Sequence, residues 1–431
     1  MEHIDTLITA RWVIPIEPGG LVLEHHALAV DRGRIVALLP TGLAVERYAP
    51  RERIERPTHV LLPGFVNAHT RAATSLLRGA VEGSSFEAWS MSLRRLEQRW
   101  IDAEYVRDGT ELAIADMLTS GTSCFGDVHL FPEVVAQVAS DQRIRACVGL
   151  PVADEPSVWA GSADECLAKG LELHDEYRDD PLITTALAPY SPETLGEPTL
   201  DRVRRAADEL ELPIIARLHG RAAPHRGGEH ALARLDRLGL LSPLLVAVHA
   251  LALENDDIER FARAGSSVAH CARATLKLGL GVSPAPRLVS RGINVSLGTN
   301  GAACNNDLLE ELRTAALLAR GLPFGDPSPD EHAWLKAATL NGARALGLAE
   351  VTGSLVPGKW ADLCCIDLGR AQTEPVQDPA AQIVYCASRD QVSDLWVAGR
   401  ALVSNGRLTH LDLDDVLGRA RAWRERIRQS L

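Results

Sequence analysis

The sequence predicts an α/β protein, a (β/α)8 barrel joined to a small composite β-sandwich domain. Two observations carry this. Eight short apolar runs, at about 61–68, 122–128, 144–152, 183–190, 213–219, 244–249, 266–270 and 293–299, alternate with helix-like stretches such as 102–119, 200–210 and 255–264. That spacing is the pattern of repeated βα units around a parallel barrel. The two ends share a different texture, short strands punctuated by turns. Residues 5–60 read as a meander with a hairpin at Asp31-Arg32-Gly33, and residues 352–408 repeat it, with a strand from Pro357-Gly358 through Leu363 and a hairpin over 395–403. The chain is therefore expected to divide into a composite β domain (1–60 and 352–410), a barrel (61–351) and a C-terminal helix (411–431). In that last segment Asp412, Asp414 and Asp415 precede Arg419, Arg421, Arg424, Arg426 and Arg428, the order that complements a helix dipole.

Composition narrows the function classes. The 46% hydrophobic content is ordinary for a globular chain, and no run approaches the ~18 apolar residues of a membrane helix. The opening MEHIDTLITARW has neither the basic nor the apolar region of a secretory signal, so a cytoplasmic location is expected. A formal net charge of -12 argues against nucleic acid and acidic membrane surfaces as partners and leaves a small-molecule substrate. The eight cysteines show no CxxC spacing and read as reduced, packed thiols.

In a (β/α)8 barrel the chemistry sits at the C-terminal ends of the strands. Here those ends carry His69 and Arg71, His219, His249, His270 and Asn300. Four histidines on four strand ends point to one shared pocket. His249 is the expected acid/base, since an imidazole titrates near neutrality. Arg71 is expected to bind an anion, because a guanidinium is permanently charged and forks toward carboxylates and phosphates. Strand alternation puts Arg217 and His219 on one face, with Arg217 read as a salt-bridging residue. Asp307 is expected to cap a helix. His225 and His230, in or beside the Gly-rich segment 223–228, are not expected to ligate metal.

The stretch Leu62-Pro-Gly-Phe-Val-Asn-Ala-His-Thr-Arg-Ala-Ala-Thr-Ser-Leu-Leu-Arg-Gly79 resembles the amidohydrolase superfamily. So do Ser120–Asp127, Ser267–Cys271, Leu276–Leu278, Leu297–Asp307 and Gly353–Asp362. The branch it resembles is that of the methylthioadenosine/S-adenosylhomocysteine deaminases and triazine hydrolases. The resemblance implies a TIM barrel of amidohydrolase type, a homodimer, and in the family a divalent metal that activates water. It puts the family's metal ligands at His69, Arg71, His219 and Asn300, its general acid/base at Ala222 and its oxyanion-polarising histidine at His249. Tyr190 stands where a histidine is usual, and Ala274-Thr275 where Ser-Asn is usual.

On this reading the metal positions His69 and His219 are vestigial, and neither zinc nor another cofactor is expected. The expected function is then a metal-independent enzyme performing elimination, cyclisation or isomerisation on a small polar or nitrogen-containing substrate. Its catalytic residues would be His249, His219 and Arg71, with His69, His270, Asn300, Tyr190 and Glu82 binding substrate. Two alternatives are a metal-dependent deaminase or hydrolase of C–N bonds in a nitrogen heterocycle, and a non-catalytic binding or partner subunit.

Overall fold

The computed structural model describes residues 1–82, 85–189, 192–218, 231–322 and 325–429. Four strands open the chain, β1 (Glu2–Val13), β2 (Leu23–Asp31), β3 (Arg34–Pro40) and β4 (Tyr48–Pro63). The barrel strands follow as β5 (Phe65–Thr70), β6 (Thr122–Val128), β7 (Arg145–Val152), β8 (Ile183–Pro189), β9 (Ile214–Leu218), β10 (Leu245–His249), β11 (Ser267–His270) and β12 (Asn294–Leu297). They pair in sequence order, all parallel. The ring closes between its first and last strands: the Asn300 N–H donates to the His69 carbonyl at 3.0 Å, and the Arg71 N–H donates to the Asn300 carbonyl at 3.2 Å.

These strands are buried on both faces, so they read as continuous apolar runs such as Leu-Val-Ala-Val-His in β10, buried throughout. Inside the ring Val66, Ala68, Cys124, Cys147, Ala186, Ile215, Val246, Val248 and Ala269 pack into one cluster. Outside it, the alternate residues pack against the helices in a larger cluster. Helix starts follow the local chemistry. Asp102 accepts the Tyr105 N–H at 2.8 Å at the head of Ala103–Leu118, and Asp307 accepts the Leu309 N–H at 2.9 Å at the head of Leu308–Gly321, as expected of a cap.

The chain's last strands are β13 (Leu363–Asp367), β14 (Val392–Val397), β15 (Arg400–Ser404) and β16 (Arg407–Leu408). With β1–β4 they form a single mixed sheet in the order β16-β15-β14-β13-β4-β1-β2-β3. Both ends of the chain thus meet at the antiparallel β4–β13 pair. A buried ion pair ties sheet to barrel: Arg145 Nε on β7 donates to Asp362 Oδ2 at 2.7 Å, and Ala398 N–H donates to Asp362 Oδ1, also at 2.7 Å. No helix among the described residues is long and apolar enough to cross a membrane.

Candidate active site

The closing of the ring builds the site. Because the Arg71 N–H donates to the Asn300 carbonyl across the β5–β12 seam, both residues stand at the same pocket wall. Gly301 must be glycine here, since a Cβ would lie 2.4 Å from Thr74 Oγ1 and 2.9 Å from Arg71 Cβ. A polar network pins the same seam: Asn67 Nδ2 donates to Thr299 Oγ1 at 2.8 Å, and the Thr299 N–H donates back to Asn67 Oδ1 at 3.0 Å. Asp127 on β6 accepts from Thr70 Oγ1 and the Ala72 N–H, fixing the turn that bears Arg71.

The pocket so formed is lined by Arg71, Arg217, His249 and Asn300 from the strand ends, and by Arg94 and Glu97 from the helix Phe86–Trp100. Phe86, Trp89, Leu93, Leu278 and Leu280 supply an apolar wall. His249 arrives through strained backbone. Along β10 the interior-facing residues are Val246 and Val248, and the left-handed φ of 73° at His249 breaks that alternation and re-aims the ring. Asn300 has a positive φ as well, 60°. His69 lies beside His249, their ring centroids 6.4 Å apart in an edge-to-face arrangement. Both His69 ring nitrogens are buried, with no hydrogen-bond partner among the described residues. Burial first, then the charges of Arg217 and Arg71, push its pKa down to about 3, so the ring is neutral.

Arg71 Nη2 donates to Glu97 Oε1 at 2.7 Å, with both side chains nearly buried. His129 Nε2 stands 3.6 Å from the same oxygen. Burial alone would raise the Glu97 pKa, but Arg71 and His129 outweigh it and hold the carboxyl at about 2.

Of the residues singled out from the sequence, His249, Arg71 and Asn300 line the pocket and His69 borders it. His270 is buried at the end of β11, where burial lowers its pKa to about 4, and does not line the pocket. Glu82 is exposed and pairs with Lys277 at 2.7 Å. His219, Tyr190, Ala222, His225 and His230 lie outside the described residues.

The sequence reading missed the charged lining residues Arg94, Glu97 and Arg217 and the apolar wall. Arg217, taken for a salt-bridging residue, shares the interior face of β9 with Ile215, and alternation from that apolar residue was the available signal. Glu97 falls four residues after buried Leu93, hence on the same helix face. As to metal, a neutral His69 with no hydrogen-bond partner among the described residues, next to His249, suits imidazole ligation. Among the described residues, however, no group of three or more His, Cys, Asp or Glu could hold an ion. The described part of the site is therefore not a complete cage.

Residues 60–402 match the model of the amidohydrolase family. The chain belongs to that family. It is 43% identical to an adenosine deaminase from Xanthomonas campestris whose crystal structure has bound zinc, with a TM-score of 0.97 over 99% of each chain. It is 39% identical over 433 residues to a 5-methylthioadenosine/S-adenosylhomocysteine deaminase of Teredinibacter turnerae, covering 98% of each. The zinc complex of an atrazine chlorohydrolase from Arthrobacter aurescens shares the fold at 23% identity, with a TM-score of 0.89 over 97% of this chain and 99% of that one.

These relatives correct two expectations. The reading as a metal-independent enzyme of elimination, cyclisation or isomerisation does not stand, nor does the expectation of no cofactor and no zinc. Both weighed a few strand-end residues singly, whereas relatives matched along the whole chain are deaminases, and the one at 43% identity carries zinc.

Proposed function

We propose that this amidohydrolase is a metal-dependent deaminase, hydrolysing the C–N bond of an amino-substituted nitrogen heterocycle, nucleosides foremost. The observation that carries this is the 43% identity and 0.97 TM-score shared with a zinc-bearing adenosine deaminase across 99% of both chains. Of the described donors, His69 is the one an ion would draw on, which leaves His249 for proton transfer. A bound divalent metal supplies a Lewis acid that makes water nucleophilic near neutral pH.

The chain's own residues supply the rest. Phe86 and Trp89 offer flat apolar surface to a planar ring. His249, in the pocket wall, moves a proton to or from the reacting centre. The Asn300 amide hydrogen-bonds a ring substituent without adding charge. The Arg71–Glu97 pair holds two opposite charges fixed at the wall, so neither reorganises during reaction. A homodimer in the cytoplasm accompanies this reading, and sedimentation of the purified chain tests the dimer.

The test is ammonia release from adenosine, methylthioadenosine and S-adenosylhomocysteine by protein reconstituted with zinc. Turnover well above the uncatalysed rate, cut at least 100-fold by His249→Ala, is the expected result. Background release from all three by folded, zinc-supplied protein removes the deaminase reading.

A further inference from the structure

One wall of the pocket is a loop rather than a strand. Asn300, Gly301 and Ala302 line it, in the stretch between β12 and the helix Leu308–Gly321. The left-handed φ of 60° at Asn300 is a conformation that a residue with a side chain keeps only where its surroundings over-determine it. Beside Asn300 the two ends of the loop are tied to each other. Thr299 Oγ1 donates to Asn306 Oδ1 at 3.2 Å while accepting from Asn67 Nδ2 at 2.8 Å. Asn306 is buried, its Nδ2 donates to Ser75 Oγ at 3.2 Å, and its backbone N–H donates to Asp116 Oδ2 at 2.9 Å. Both ends of the amide and the backbone are thus engaged, which leaves this side chain one orientation.

The chain of contacts continues out of the barrel. Asp116 stands in the last turn of the helix Ala103–Leu118, and its Oδ1 accepts from Arg389 Nη1 at 2.6 Å. Arg389 Nη2 donates to the Asp116 carbonyl at 3.0 Å and to Thr119 Oγ1 at 2.6 Å, so the guanidinium also closes a helix end whose carbonyls lack partners within the helix. Burial raises the pKa of Asp116, but Arg78, the Asn306 N–H and Arg389 outweigh it and hold the carboxyl below its ordinary value. Arg389 itself opens the short helix Arg389–Gln391 that leads into β14 of the mixed sheet. None of Thr299, Asn306, Asp116 and Arg389 lines the pocket, yet together they run from the sheet to the residue that does.

We propose that Asn306 is a positioning residue for Asn300, held in turn by Asp116 and Arg389, so that the mixed sheet fixes one wall of the pocket from outside the barrel. Without the Arg389 fork, Asp116 is free to turn from the Asn306 N–H. The loop then relaxes toward an unstrained backbone, and the Asn300 amide leaves the place from which it meets a ring substituent. The proposal rests on the deaminase reading only for the substrate that reports its effect on turnover.

Amide hydrogen exchange on the full chain tests it without any substrate. Arg389→Gln and Asn306→Leu should each speed exchange across residues 299–306 about tenfold or more, while Leu245–His249 and Ser267–His270 keep wild-type rates. Arg389→Lys should fall between, since it keeps the charge and loses the fork. No local change in Arg389→Gln, whose partly exposed site makes failure to fold improbable as a cause, overturns the proposal, and so does an equal acceleration throughout the barrel. Turnover gives a second, independent reading. In zinc-reconstituted protein Arg389→Gln should lower kcat/KM for adenosine about tenfold, but less than about twofold when Asn300→Gly is already present, because the effect passes through the Asn300 amide. Glycine accepts the left-handed backbone, so that change removes the amide and leaves the loop its shape. An undiminished loss in the Asn300→Gly background also overturns the proposal. Absence of ammonia release from the wild type sinks the deaminase and leaves exchange to decide the positioning, whereas full turnover with unaltered exchange in Arg389→Gln does the reverse.

Discussion

At the scale of single residues the site is set by side chains whose partners lie far away in sequence. Arg71 would be costly at a barrel mouth alone, and Glu97, on a helix 26 positions later, offsets that cost through a 2.7 Å contact. Removing either member takes from the other its 2.7 Å charge partner. Glu97→Gln should therefore destabilise the fold by about 3 kcal/mol in urea titration. Arg71→Gln/Glu97→Gln should cost less than the sum of the single changes, leaving a coupling of about 1 kcal/mol or more. Additive losses would mean that the contact contributes nothing. Metal affinity responds to the same charges. His69→Ala should lower zinc affinity about tenfold or more, through loss of a neutral imidazole donor. Arg71→His should raise it, because a positive charge is exchanged for a possible ligand. Competition against a chromophoric chelator reads both.

At the scale of elements, most of what the sequence offered was periodicity, and it located most barrel strands. But the run at 61–68 is divided at Gly64 between β4 and β5, and the strand expected from Pro357 through Leu363 begins only at Leu363. The run expected at 266–270 is β11 at Ser267–His270, and that at 244–249 is β10 at Leu245–His249. Strand ends were legible because apolar runs stop where the chain meets polar loops. Pocket geometry was less so. His249 enters through a left-handed backbone that no alternation rule predicts, and Glu97 reaches Arg71 only through tertiary packing of its helix.

The helix Leu308–Gly321 carries a different kind of hidden information. Its Glu311 is fully buried, accepts the Arg273 N–H at 3.1 Å, and has its pKa pushed by burial up to about 8. An acid with a raised folded-state value binds more protons folded than unfolded, so its contribution to stability falls as pH rises. The window runs from the ordinary carboxyl value of 4.5 to about 8, with a limiting slope of roughly 1.4 kcal/mol per pH unit. Glu311→Gln should flatten that part of the stability curve and stabilise the protein above pH ~8, as urea midpoints between pH ~5 and ~9 will show. An unchanged slope would mean that another group sets it.

At the scale of the whole molecule the barrel and the mixed sheet act as one structure. Arg145, on β7, and Asp362, at the head of β13, have side chains only 2% and 0% exposed. Arg145→Met should lose about 3–5 kcal/mol by leaving Asp362 charged and dry, and Arg145→Met/Asp362→Leu should recover much of it. Denaturant unfolding followed separately by tryptophan fluorescence and far-UV dichroism would reveal whether the two parts then come apart.

The β4–β13 pairing also sets an order of events during synthesis. Strand β4 is complete at residue 63, but its antiparallel neighbour begins at residue 363. The nascent chain therefore emerges with β4 bare along one edge while all eight barrel strands appear behind it. The stretch His59–Pro63 waits for that neighbour, and an unpaired edge is a template for pairing with other chains. The ribosome must translate the whole barrel before the molecule can cover it, so the interval in which a new copy is vulnerable to aggregation is fixed by topology rather than by the stability of the finished fold.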